Sequence, residues 1–93
     1  MVYVWDEAKR EANLAKHGLD FADVHLVYEN PYKVTFASTQ ADENRSVDIA
    51  MVEISGQVLT LVYVKRGEDV RVISLRRASR RERKMYAEAK EQD

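Results

Sequence analysis

The sequence contains no cysteine, which excludes disulfide staples, thiol nucleophiles and thiolate metal ligands. It has one proline, Pro31, and three glycines, so few positions force a break in regular structure. No apolar run is long enough to cross a bilayer as a helix. The opening residues, Met-Val-Tyr-Val-Trp-Asp-Glu-Ala-Lys-Arg-Glu, lack the apolar stretch of a secretory signal. A cytoplasmic protein without membrane contact is the expectation. The two histidines, His17 and His25, fall on different predicted helices, and neither belongs to an HExxH-type spacing. His17 stands where a cation would favour a helix C-terminus, and both histidines read as structural. Asp42 and Glu43 are adjacent loop carboxylates, not a magnesium cluster. GxxxxGK phosphate loops and nucleophile elbows are also missing. No metal and no cofactor are expected.

What is present is a chain of 93 residues, 45% hydrophobic and 33% charged, enough for one core and one domain spanning 1–93. The formal net charge of −1 conceals a division. From Lys65 to Tyr86 nine basic residues meet three acidic ones, leaving +6 there and −7 elsewhere. Seven of those nine are arginines, whose planar fork grips phosphate where lysine offers only a point charge. A basic segment within a nearly neutral chain points to a local polyanion contact.

The pattern predicts an α+β domain in the order β-α-α-β-β-β-β-α. Val2 to Trp5 reads as a strand. Asp6 caps a helix to about Lys16, with Ala8, Ala12 and Ala15 as small packing positions, and Gly18 ends it. Asp20 caps a second helix from Phe21 to about Tyr28, with Leu19 and Val24 as a hydrophobic staple, and Pro31 closes it. Lys33 to Ser38 is a strand and Thr39 to Asn44 a polar loop. Arg45 to Ile54 alternates, with Val47, Ile49 and Met51 on one side. Ser55-Gly56 makes a hairpin turn into Gln57 to Lys65, and the Arg66–Asp69 turn leads into Val70 to Leu75. Ser79-Arg80-Arg81-Glu82 is a capping box opening a terminal helix to roughly Lys90. Strands joined by tight turns make the sheet mostly antiparallel.

Simple alternation puts Arg71, Ile73, Leu75 and Arg77 on one side of the last strand, and Val72, Ser74 and Arg76 on the other. Arg45, Tyr63, Lys65, Arg66, Arg71, Arg76 and Arg77 are expected to converge near one end of the sheet. Some of these charges can instead serve to protect an edge strand. Arg80, Arg81, Arg83 and Lys84 offer further RNA contacts, or else a solvated helix face. Such a cluster suits RNA cleavage without metal. The ribose 2′-OH is the nucleophile, guanidinium groups stabilise the phosphorane, and the protein manages two protons. DNA lacks that hydroxyl and would be bound but not cut.

Three runs resemble the BrnT toxin family: Trp5-Asp6-Glu7-Ala8-Lys9; Asn13 to Phe21 (NLAKHGLDF); and Arg71 to Arg83 (RVISLRRASRRER). The resemblance covers nearly the whole chain. It implies a RelE-like fold and a ribonuclease toxin of a type II toxin–antitoxin pair. The implied partner is a BrnA-type antitoxin with a ribbon-helix-helix domain, and operator DNA is reached only through that complex. A family Glu-x-Arg falls on Glu43 and Arg45, an aromatic followed by arginine on Tyr63 and Arg66, and the arginine pair of the last strand on Arg71 and Arg76, with Arg77 beside it. The general base stays open among Tyr63, Lys65 and Glu43. Two positions depart from the pattern: Val64 replaces a threonine and Leu75 an alanine. Leu75 either narrows the RNA groove or packs. A decayed toxin, acting as a binding co-repressor, is the alternative reading. The WDxxK and KHG motifs suggest structural roles, with Trp5 and Phe21 packing helices on the sheet and Lys9 paired to an acid one turn away.

Overall fold

The computed structural model of the chain describes residues 2–37, 45–52 and 56–91. Asp6 turns β1 (Val2–Val4) into α1 (Glu7–His17), its carboxylate accepting from the Ala8 amide at 2.8 Å. Gly18 ends α1 at φ +69, a conformation open to glycine at little cost, and its amide donates to the Leu14 carbonyl at 2.8 Å.

The alanines of α1 do not pack: Ala8, Ala12 and Ala15 are all exposed. The inward stripe is Arg10, Asn13 and His17, and Asn13 is the only buried residue of the helix. Polar anchoring replaces apolar packing here. Arg10 pairs with Asp20 at 2.8 Å and also with Glu7, while Lys9 is exposed.

The segment after Gly18 also departs from the pattern. In place of one helix there is a 3₁₀ turn, Phe21–Asp23, followed by a one-turn helix α2, His25–Tyr28. The spacing explains this. Phe21, Val24 and Val27 recur every three residues, which a three-residue turn stacks on one face, and all three are essentially inaccessible. Asp20 still caps the turn, accepting from the Ala22 amide at 3.0 Å.

β2 (Val34–Ala37), β3 (Arg45–Val52), β4 (Gln57–Arg66) and β5 (Asp69–Arg77) follow, and α3 (Arg80–Glu91) ends the chain. The five strands form one sheet in the order β1-β5-β4-β3-β2, antiparallel except for the parallel β1–β5 pair. The predicted loop at 39–44 and turn residue Ser55 lie outside the described residues; β3–β4 pairing closes at Val52–Gln57. Gly67, at φ +59, takes the first central position of the β4–β5 turn, as a type II′ hairpin requires.

One face of the sheet carries the core. Leu59, Leu61 and Tyr63 of β4 and Val70, Val72 and Leu75 of β5 meet Phe21, Val24 and Val27, with Tyr3, Trp5 and Leu19 at the margin. Leu75 is fully buried here, so its bulk packs and does not narrow a groove. Trp5 stacks edge-on against Phe21 with centroids 6.1 Å apart, as expected of both. Helix α3 docks on the opposite face through Glu82, and its capping box is complete. The Ser79 amide donates to Glu82 at 2.8 Å, and Ser79 Oγ accepts from the Glu82 amide at 3.1 Å.

Candidate functional site

A β-bulge decides where the arginines point. Val62 pairs with Ser74 but Tyr63 pairs with Val72, which leaves Ile73 over. Beyond the bulge the alternation of β5 is reversed. Arg71 therefore shares a face with Ser74 and Arg76, whereas Leu75 and Arg77 follow Val70 and Val72 onto the core face. Simple alternation had separated Arg71 from Arg76, and the extra residue reunites them.

The expected convergence at one sheet end does not occur. Arg45 stands opposite Val64, Val64 opposite Arg71, and Arg71 beside Val4, a single row across four strands. Arg66, opposite Asp69, lies next to that row at the hairpin end. Arg76 and Arg77 stand opposite Thr60 and Leu59, four residues further along β4 or about 13 Å away at the usual strand rise. The basic residues thus form two groups.

At the distal group, Arg76 grips Glu82 with both ends of its fork, at 2.6 and 2.9 Å. Glu82 also accepts from the Thr60 hydroxyl at 3.1 Å. Burial alone would push the Glu82 carboxyl up, but Arg76, the Ser79 amide and Thr60 together hold it at about 2. Arg76 is raised in turn, the Glu82 bond outweighing its desolvation. Arg77 lies on the core face at the rim, its Nε donating to Gln57 at 3.3 Å. His17 is driven below its ordinary value, first by burial and then by Lys16 and Arg76. That direction disfavours the cation at the helix end. His25 is exposed, with Nδ1 3.2 Å from the Ala22 carbonyl.

At the hairpin group, Lys65, Arg66 and Arg71 are exposed, and none of the three forms an ion pair with a described residue. Tyr63 belongs to the core face. Its ring meets Tyr28 edge-on at 5.1 Å, Tyr28 meets Tyr3 at 5.9 Å, and Lys33 sits 3.9 Å from the Tyr28 ring centre. The Tyr3 hydroxyl, raised by burial and by Glu29, donates to that carboxylate. Glu43 lies outside the described residues. Arg80, Arg81, Arg83 and Lys84 form the exposed side of α3. Among the described residues no group of His, Cys, Asp and Glu is arranged to hold a metal.

A family model for BrnT, the ribonuclease toxin of type II toxin–antitoxin systems, matches residues 5–82. The chain belongs to this family. No curated protein matches it. Membership of BrnT brings with it the class of activity, a ribonuclease toxin, and an antitoxin as partner. The matched span begins at Trp5 and ends at Glu82, so it includes both arginine groups and leaves most of α3 outside. No helix of the described residues is long and apolar enough to cross a membrane.

Two residues with structural command over the site were not singled out by sequence reasoning. Glu82 was visible only as a capping-box partner, although its second task is to orient Arg76. Asn13 is 7% exposed and bonds both the amide and the carbonyl of Leu75, at 3.2 and 2.8 Å, and the Leu19 carbonyl at 3.0 Å. The signal for Asn13 was its place on the same helical stripe as Arg10 and His17.

Proposed function

We propose that this BrnT-family chain is a metal-independent endoribonuclease with a RelE-like fold, whose RNA track is the sheet face carrying Arg71 and Arg76. The observation that supports it best is the Ile73 bulge, which puts both arginines on one face, with Arg66 and the Arg45 position beside Arg71. The substrate supplies its own nucleophile when the 2′-OH attacks the adjacent phosphorus. The 5′-oxygen leaves and a 2′,3′-cyclic phosphate remains. A developing dianionic phosphorane is what unpaired guanidinium groups stabilise. Arg71, exposed and without an ion pair to a described residue, offers the open fork, while Glu82 holds Arg76 in place on the same face. The proton shuttle stays open among Glu43, Tyr63 and Lys65: Tyr63 is buried, and Lys65, though exposed, alternates onto the face of Tyr63 and not that of Arg71 and Arg76. The exposed cations of α3 extend the track, while Arg77 stands at the rim of the other face. In the cytoplasm a BrnA-like ribbon-helix-helix antitoxin would neutralise the toxin by covering this face and would carry the complex to operator DNA.

The test uses the purified chain in EDTA with an RNA oligonucleotide and its all-deoxy counterpart. The expected outcome is cutting of RNA to cyclic-phosphate ends and no cutting of DNA. Cleavage that EDTA abolishes, or equal cutting of DNA, contradicts the proposal. One observation favours a second reading, a non-catalytic co-repressor: the fork of Arg76 is saturated by Glu82. That reading expects RNA binding with no turnover in the same assay.

A further inference from the structure

The motif Trp5-Asp6-Glu7 has no part in the RNA track, yet it lines an open cleft of about 310 Å³ together with Val4 and Arg71. This is the lower end of the range for small-molecule sites and suits a single nucleobase with its sugar. The polar groups of the cleft are of both signs. Arg71 is exposed and forms no ion pair with a described residue, so its fork is open. Asp6 uses Oδ1 to cap α1, and its other oxygen has no hydrogen bond to a described residue. Glu7 is already engaged, by Arg10 and by the Trp5 indole N–H at 3.2 Å. The helix end and Arg10 thus compensate much of the negative charge that would otherwise repel RNA.

We infer that this cleft is a guanine-reading subsite of the RNA-binding face, an inference that rests on the ribonuclease reading and adds base specificity to it. The arginine fork presents two donors side by side, which need two adjacent acceptors. The Asp6 carboxylate presents the open Oδ2 and the remaining lone pair of the capping Oδ1, which need two adjacent donors. Guanine meets both demands, with O6 and N7 on one edge and N1–H and the 2-amino group on another. Adenine sets a donor beside its N7, cytosine lacks two adjacent donors, and uracil, alternating acceptor and donor, lacks both edges. The indole wall supplies a surface for stacking an unpaired base, the usual way of holding single-stranded RNA. Arg71 also belongs to the row with Arg45, so a base in the cleft leaves its phosphate beside the basic face.

Trp5 is the only tryptophan of the chain, so intrinsic fluorescence reports on the cleft directly. The full chain is titrated with guanosine, adenosine, cytidine, uridine and inosine 3′-monophosphates. The expected result is a saturable change with the guanosine nucleotide and at least tenfold weaker binding of the others, including inosine, which lacks only the 2-amino group. Arg71→Ala and Asp6→Asn should each weaken guanosine binding at least tenfold with an unchanged circular dichroism spectrum, since asparagine still caps the helix. Equal affinity for all five nucleotides, or undiminished guanosine binding by Arg71→Ala, overturns the subsite. RNA cleavage without guanosine binding defeats the subsite and leaves the nuclease standing. Guanosine binding without RNA cleavage supports the subsite and defeats the nuclease.

Discussion

Asn13 shows how one side chain can finish a sheet. β1 pairs with β5 only from Asp69 to Arg71, so the outer edge of β5 is open beyond that point. An open edge exposes unpaired amides and carbonyls that invite another strand. The carboxamide of Asn13 imitates a strand here, offering its oxygen to the Leu75 amide and its nitrogen to the Leu75 carbonyl. Its second N–H holds the Leu19 carbonyl just past the helix end. Replacing Asn13 by alanine strands the buried amide and carbonyl of Leu75 and the part-buried carbonyl of Leu19, each buried group costing on the order of 1–3 kcal/mol. The Asn13→Ala variant should therefore lose about 3 kcal/mol in urea unfolding, and Asn13→Asp should recover only the bond from the Leu75 amide. A loss within experimental error would mean that water replaces the carboxamide without penalty.

Among the described residues, a charged side chain ties the terminal helix to the sheet. No residue of α3 is buried, and its inner side holds Glu82, Met85, Tyr86 and Ala89 at partial exposure. Glu82 joins three elements at once, through Ser79 at the helix start, Thr60 on β4 and Arg76 on β5. Its folded pKa of about 2 lies below the ordinary 4.5. The stability it adds is thus fully present above about pH 4.5 and is lost as pH falls toward 2. Glu82→Gln should melt at a lower temperature at pH 7 and show a shallower decline across that acid window. Asp20, also held at about 2 by Arg10 and the Ala22 amide, keeps the decline from vanishing. An acid limb as steep as in the parent chain would show that the Arg76 pair contributes nothing to it. The sequence pattern disclosed the capping box, because its four residues are contiguous. It did not disclose the ion pair, since that depends on which face Arg76 occupies.

On the scale of the whole molecule, the +6 segment is divided: Arg66, Arg71 and Arg76 stand on one sheet face, Lys65 and Arg77 on the other, and Arg80, Arg81, Arg83 and Lys84 on the outer side of α3. Counterion release makes single-stranded RNA affinity fall with salt at a slope of about −0.7 per neutralised phosphate. Changing Arg80, Arg81, Arg83 and Lys84 together to glutamine should flatten the logarithmic slope by about 3 if each meets a phosphate. An unchanged slope would make the helix a solvated face outside the track. The sequence by itself determined the α+β class, the order of elements, the Asp6, Gly18 and Ser79 caps and the family, because each is written in neighbouring residues or in a continuous motif. Only the tertiary structure decided that Ala8, Ala12 and Ala15 face solvent and that the arginines divide into two groups. It also decided that Arg71 and Arg76 share a face. A single unpaired residue, Ile73, reverses the parity of β5, and a bulge is defined by the register between two strands, which no local pattern records.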